Sequence, residues 1–467
     1  MSVTSANGVV LGEKPKTLRM FDMALFSVAA ILTLDQIAAQ SGIGVQGLTW
    51  WILLAVFFFV PYGLITAELG SAWPDEGGLY VWIREAMGRD AGSTMAWMYW
   101  VNVAYWAPSV FVILVGTIES AFGVDVPRIW EAVIVIALIW LIVGLGILPM
   151  DRVKQLPNAT AVIKAFCIIV IGVVGIAFAV KSGLANSFAA AEWTPSFGAN
   201  WSFLPLIIYS FMGFELVSSA GGSMRNPKRD VPIAIGVAGA LILFFYMFAT
   251  FGILASLPLE DLSLVSGISD ALKLSFEGLF GSATWFFYVV VILVIFTLIG
   301  NMITWSLGAN HAMAATGNDG TMPKVFGHEN RKYGSPDYAY LIMGAIATVV
   351  TVINYAAFGD NEAIFWTIFA LASIVFLVPY LLIFPSLLIL RHKFPDVERP
   401  YRIPGGAFGA WISVILAEAG VLFAVVLFFQ QVPEDTPLGA YLGITAGGTA
   451  LSLLVGWILA RRTQARG

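Results

Sequence analysis

Twelve apolar runs follow one another along the chain, at roughly 21–42, 48–70, 95–119, 129–149, 158–180, 201–220, 231–256, 282–316, 337–357, 361–390, 408–430 and 438–460. Each is about as long as a helix needs to cross a hydrocarbon core about 30 Å thick. A segment in lipid must satisfy every backbone N–H and C=O internally, so the chain reads as an all-α polytopic membrane protein. Its 467 residues are 59% hydrophobic and 11% charged, far more apolar than the ~45–50% of a soluble domain. No linker or soluble domain interrupts the runs. The expected organisation is an N-terminal tail at 1–20, one transmembrane domain at 21–460 and a C-terminal tail at 461–467.

Orientation follows from the basic residues, because cytoplasmic loops are enriched in Lys and Arg. Of the 24 such residues, the outer loops hold Arg128, Lys181 and Lys273, and Lys164 lies inside the fifth span. All the others fall on the side of the termini, which predicts a cell-membrane protein with both termini cytoplasmic. The first twenty residues lack the short apolar core and small-residue cleavage site of a signal peptide, so the first span is expected to stay uncleaved. The net charge of −5 carries little information beside this asymmetry.

Two spans contain polar interruptions. In the sixth, Glu215 stands beside Gly213 in an apolar segment; interrupted helix is tolerated only where protein buries it or it lines a cavity, so Glu215 is expected to face inward. A mid-membrane acid costs roughly 2.5–3.5 kcal/mol on insertion scales. Either it marks a substrate, ion or proton route, or it is a protonated glutamate bonded to a neighbouring helix. The first span carries the break Thr33-Leu34-Asp35-Gln36, with Asp35 ~20 Å from Asp22 by helical rise and thus near the midplane. Asp35 either belongs to a site or caps the broken helix. Paired breaks in the first and sixth spans point to an inverted-repeat transporter, 21–180 mirrored by 201–390. In such a layout half-helix N-termini meet the anionic end of a substrate and unwound carbonyls meet cations.

Other polar groups lie at helical spacing. Asn301, Thr304 and Trp305 do so in the eighth span, and Asn102, Tyr105 and Trp106 in the third; these sets line a cavity or bond between helices. Lys164, ~9 Å into its span by helical rise, either snorkels to the inner interface or is a buried ammonium that exchanges a proton or stands in for a coupling cation. The outer loop 257–281 reads as a surface helix able to act as a lid. The inner connection 71–92 reads as a turn (Pro74, Gly77, Gly78) followed by an amphipathic helix with Arg84 and Glu85 at the membrane surface. No GxxxxGK[ST], HExxH or GxSxG motif occurs. His311, His328 and His392 lie at or beyond span ends, and the lone Cys167 sits in an apolar run as a structural thiol. Neither a cofactor nor a metal is expected, and net acidity argues against nucleic acid.

Three stretches, PDEGGLYVWIREAMG at 74–88, SFMGFELVSSAGGSMRNPKRDVP at 210–232 and RPYRIPGG at 399–406, resemble motifs of the amino acid-polyamine-organocation (APC) superfamily of permeases. Gln40-Ser41-Gly42 and the run FFFVPYGLITAELG at 57–70 are most similar to the glutamate/GABA antiporter branch and its amine-exchanging relatives. The resemblance implies a leucine-transporter-type fold of twelve transmembrane helices: a 5+5 inverted repeat with broken first and sixth helices, plus two extra helices at 408–460. It implies alternating access, with a substrate site at Thr33, Leu34, Asp35, Ser210, Phe211, Gly213, Phe214 and Glu215, to which the polar spacing of the eighth span adds Asn301. It also implies that Lys164 takes part in coupling, since a fifth-span lysine replaces a sodium ion in some proton-coupled relatives, and Glu215 is expected to join it as an intramembrane carboxylate. Two differences stand out: Thr33-Leu34-Asp35 replaces a glycine-rich first break, and the short tail leaves no room for a C-terminal plug.

The function expected is therefore secondary active transport of amino acids or their decarboxylated amines, as an exchanger or a proton-coupled importer. Phe211 and Phe214 are the expected packing wall that moves when the bundle rocks. Alternatives are a glutamate/GABA-type or neutral amino acid antiporter, a transporter-like membrane sensor, and a membrane-embedded enzyme, for which no nucleophile-base pair is visible. Expected partners are a small-molecule substrate, protons if transport is coupled, and the bilayer, with the chain a monomer or homodimer. If Asp35 and Glu215 share one cavity, their mutual repulsion favours a substrate carrying ammonium groups.

Overall fold

A computed structural model describes residues 20–73, 78–148, 156–197, 201, 203–215, 227–282, 284–433 and 436–465. The 1–19 tail, Pro74 and Gly77 of the inner turn, Arg152 and Lys154, and the 216–226 portion of the sixth-span motif lie outside those residues. The main helices are α1 (Met20–Ile31), α2 (Ile37–Ser41), α3 (Gln46–Ala72), α4 (Leu79–Met87), α5 (Arg89–Phe122), α6 (Arg128–Ile147), α7 (Leu156–Ser182) and α8 (Leu204–Ser210). They continue with α9 (Pro227–Ser256), α10 (Gly267–Phe280), α11 (Trp285–Asn318), α12 (Asp337–Ala357), α13 (Asn361–Lys393), α14 (Gly406–Gln430) and α15 (Leu438–Gln464). Among the described residues every regular element is helical, and ten helices are long and apolar enough to cross a membrane. The sequence spans missing from those ten are the first and the sixth, because each is cut.

The cuts have local causes. After α1 the backbone leaves the helix at Leu32 and resumes at Ile37, where Thr33 and Asp35 offer side-chain oxygens that compete with the helical ladder. In the sixth span α8 stops at Ser210 and the chain turns at Gly213, whose φ of +109° suits a residue without a Cβ. Orphan carbonyls left at the end of α1 are taken up by side chains from three other helices. Lys164 of α7 donates to Ala29 O (3.0 Å), Trp305 of α11 to Ala30 O (3.2 Å) and Tyr246 of α9 to Ile31 O (3.4 Å).

Two helices form the buried axis of the molecule. Of the apolar window of α5, 94% is buried, and of α13, 83%; α5 packs against α11, α12, α13 and α15. α7 packs against α9, α10 and α11, and the α7–α9 approach is so close that a Cβ at Gly175 would lie 2.1 Å from Gly252 O.

The two connecting helices pack on the bundle to different depths, α10 along one face and α4 more deeply. In α4 the contiguous run Leu79–Ile83 is buried and packs on α5 and α13, so the helix is tucked into the bundle instead of lying free at the surface. α10 buries Ile268, Ala271, Leu272 and Phe276, and Lys181 caps its C-terminal carbonyls at Gly278 and Leu279, both at 2.9 Å.

The RPYRIPGG stretch folds onto the end of α3. Glu68, fully buried, accepts from Arg391 Nε (2.7 Å), Arg391 Nη2 (2.5 Å) and Ile403 N (2.8 Å), with Arg399 Nε at 3.6 Å. Arg399 also donates to the carbonyls of Leu390 (3.0 Å) and Phe394 (2.9 Å). One carboxylate thus ties α3, the end of α13 and the connection to α14 together.

Candidate functional site

The two breaks face each other across a polar chain of side chains. Gln40 Nε2 donates to Ser210 Oγ (2.6 Å), Ser210 Oγ donates to Gln36 Oε1 (2.8 Å) and Gln36 Nε2 donates to Thr33 Oγ1 (2.9 Å). Beside it lies a small cavity of about 20 Å³, lined by Ile31, Thr33, Gln36, Ser210 and Met212 on the break side and by Trp106, Tyr209, Trp305 and Phe376 opposite. That volume holds about one water-sized sphere. The Trp106 and Trp305 rings meet edge to face at 5.9 Å, and Phe376 closes on Tyr209 at 5.4 Å and on Trp305 at 6.2 Å.

Asp35 is 1% exposed and accepts from Trp106 Nε1 at 2.9 Å through Oδ2. Among the described residues its Oδ1 accepts no hydrogen bond, and neither does Gln40 Oε1. A buried acceptor without a donor is costly, so these two oxygens keep hydrogen-bonding capacity for a donor, although neither residue lines a cavity. Lys164, 2% exposed, donates to Ala29 O at 3.0 Å and to Asn301 Oδ1 at 2.9 Å. It is turned inward, away from the interface that a snorkelling lysine would reach.

Glu215 sits elsewhere. Three hydroxyls from three helices converge on it: Tyr62 of α3 on Oε2 at 2.7 Å, and Tyr99 of α5 (3.1 Å) and Tyr380 of α13 (2.8 Å) on Oε1. Such bonds to a carboxylate are of the stronger, charge-assisted kind. Glu215 and Tyr99 stand at one end of a cavity of about 750 Å³ that runs past Trp100 to Tyr80 and Arg84 of α4 and to His311 and Asp319 near the end of α11.

Several sequence expectations change here. Asp35 and Glu215 do not line one cavity: Asp35 lies against Trp106 beside the small cavity, whereas Glu215 is enclosed by tyrosines and lines the large one. The repulsion argument for a cationic substrate therefore loses its premise. Phe211 and Phe214 line neither cavity. The turn sends both rings, fully buried, toward α3, where Phe211 packs on Trp51 and Phe59 at 5.1 Å each and Phe214 on Phe59 at 4.8 Å; Tyr209 and Met212 supply the wall instead. Leu34 is buried but lines neither cavity, and Asn301 binds Lys164.

Of the two polar sets, Trp106 and Trp305 face the small cavity, whereas Thr304 bonds its own helix at Gly300 O and Tyr105 bonds Ser452 at 2.7 Å. The residues sequence reasoning missed are mostly tyrosines: Tyr62, Tyr99, Tyr209, Tyr246 and Tyr380. Only Tyr62 carried a signal, as part of the 57–70 run.

A family model described as amino acid permease matches residues 18–449. A probable agmatine/putrescine antiporter, AguD, of Lactococcus lactis subsp. lactis (strain IL1403) is 33% identical over 450 residues, 95% of each chain. An uncharacterized transporter of Legionella pneumophila is 25% identical over 465 residues, 97% of this chain and 98% of that one. A glutamate/gamma-aminobutyrate antiporter of the same Lactococcus strain is 22% identical over 428 residues, 90% of this chain and 84% of the relative.

Proposed function

The chain belongs to the amino acid permease family, a secondary transporter of amino acids or amines that crosses the membrane many times, and from that premise we propose that its cargo is a cationic amine exchanged for another. The observation that carries this reading is the small cavity between the breaks. Its far wall is made of aromatic side chains, Trp106, Tyr209, Trp305 and Phe376, and the carboxylate bonded to Trp106, Asp35, keeps one oxygen open. Ring faces attract an ammonium or guanidinium, by ~0.5–2 kcal/mol each depending on desolvation, and an acceptor-only carboxylate completes the match. The relative at 33% identity, a probable agmatine/putrescine antiporter, supports the same chemistry.

In this reading the chain has twelve spans in the leucine-transporter-type 5+5 layout with two added helices, sits in the cell membrane with both termini cytoplasmic, and functions as one domain. Substrate binds among Thr33, Asp35, Ser210, Trp106, Tyr209 and Trp305. The large cavity ending at Glu215 is its path to the inner side, and the walls of the small cavity separate when the bundle rocks. Lys164, held against the end of α1, and Glu215, held by three hydroxyls, serve coupling.

Counterflow in proteoliposomes loaded with putrescine tests this. Putrescine and agmatine should exchange and compete; if glutamate or a neutral amino acid competes while putrescine, agmatine, lysine and arginine all fail, the reading is wrong. Glu215→Gln should keep its melting midpoint in detergent yet lower exchange about tenfold or more, since an amide conserves the shape while removing the charge that an intramembrane carboxylate supplies to the cycle. Wild-type turnover in that variant would remove Glu215 from the cycle.

A further inference from the structure

Two tyrosines cap the two breaks reciprocally. Tyr62 lies on α3, the helix that follows the first break, and its hydroxyl accepts from the backbone N–H groups of the sixth-span break, Gly213 at 3.2 Å and Phe214 at 2.9 Å. Tyr246 lies on α9, the helix that follows the sixth-span break, and its hydroxyl accepts from Thr33 N of the first break at 2.9 Å. Both tyrosines are fully buried. Backbone N–H groups freed at a helix interruption are the groups that would otherwise take the anionic end of a substrate. At Thr33, Gly213 and Phe214 they are already spent on phenol oxygens.

The neighbouring side-chain groups left open have the opposite sense. Asp35 Oδ1 and Gln40 Oε1 accept no hydrogen bond among the described residues, and Asp35 lies beside the same small cavity whose edge Thr33 forms. An open carboxylate repels a second carboxylate brought against it, and like charges in contact cost several kcal/mol. The unfilled hydrogen-bonding capacity of these side chains is thus for donors.

We propose that Tyr62 and Tyr246 are specificity-determining residues. By occupying the break N–H groups, Tyr246 in the break that holds the open Asp35 and Tyr62 beside Glu215, they exclude an α-carboxylate, so the site admits an amine and rejects the amino acid from which decarboxylation would produce it. This rests on the amine reading above and adds to it the residues that enforce the choice.

Three matched pairs, agmatine with arginine, putrescine with ornithine and cadaverine with lysine, differ within each pair only by the carboxylate. In competition against putrescine counterflow, the wild type should favour each amine over its amino acid by about 100-fold or more, the scale of a like-charge contact. Tyr246→Phe, which keeps the ring and frees Thr33 N–H, should lower that ratio about tenfold; Tyr62→Phe is the second variant, freeing Gly213 and Phe214. A ratio kept within about twofold in both variants would overturn the assignment. Lysine amide and arginine methyl ester test the same point without mutation. They keep the bulk and lose the charge, so they should compete far better than lysine and arginine. If they are as poor as the acids, the exclusion is steric and the inference fails. Wild-type preference for the amino acids would instead sink the amine reading itself.

Discussion

Glu68→Ala is expected to destabilise the protein by about 3–5 kcal/mol, the cost of removing one partner from a buried ion pair and leaving the other unpaired. Glu68 has no exposure, and its two oxygens serve Arg391 at 2.7 and 2.5 Å, Ile403 N at 2.8 Å and Arg399 at 3.6 Å. Arg399 is 8% exposed, so without Glu68 its charge stays inside, balanced by the carbonyls of Leu390, Phe394, Pro395 and Val397 and by the Trp73 ring but by no carboxylate among these partners. Arg391 is better placed to escape, with its side chain 18% exposed. A fluorescence-detected melting series in detergent reads the loss, and Arg391→Ala should cost less than Glu68→Ala. An unchanged midpoint for Glu68→Ala would mean that water or a neighbouring group compensates the arginines.

The other large effect concerns transport. Asp35→Asn should lower kcat/KM for putrescine by about 100-fold or more, which is about 2.7 kcal/mol at ~1.36 kcal/mol per tenfold. Truncating a buried, hydrogen-bonded charge pair typically costs 2–5 kcal/mol, and the substrate ammonium would be one member of that pair. Asparagine keeps the shape and can still accept from Trp106 Nε1, so the melting midpoint should barely move. That combination separates a lost contact from a lost fold. Wild-type kinetics in Asp35→Asn would assign Asp35 to structure, as the acceptor that fixes the Trp106 ring.

The predictions differ in how far they could be seen in advance. Glu68 lies in the 57–70 run at the end of its span, yet its role could not be read there, because its partners Arg391 and Arg399 lie more than 320 positions away. RPYRIPGG was visible as a motif, yet nothing local says that its arginine reaches the end of α3. Asp35, by contrast, was legible, because a carboxylate in an apolar run is anomalous wherever the chain later goes.

What the sequence by itself determined is whatever depends on short-range composition. Apolar length predicts spans, polar interruptions at 33–36 and 210–215 predict breaks, and the helices stop there, at Ile31 and Ser210. Burial of Asp35 and Glu215 follows from the same logic, since lipid offers no donors. Only the tertiary structure decided which way side chains turn at the breaks and what meets them. Gly213 at φ +109° turns Phe211 and Phe214 toward α3 and leaves Tyr209 and Met212 at the cavity. Three tyrosines from α3, α5 and α13 converge on Glu215, which lines the large cavity, whereas Asp35 bonds Trp106. The physical reason is that a tyrosine in an apolar helix costs little wherever its ring faces, so its position along the chain carries no signal. Its hydroxyl acquires a role only when packing brings it within about 3 Å of an orphan carboxylate or N–H.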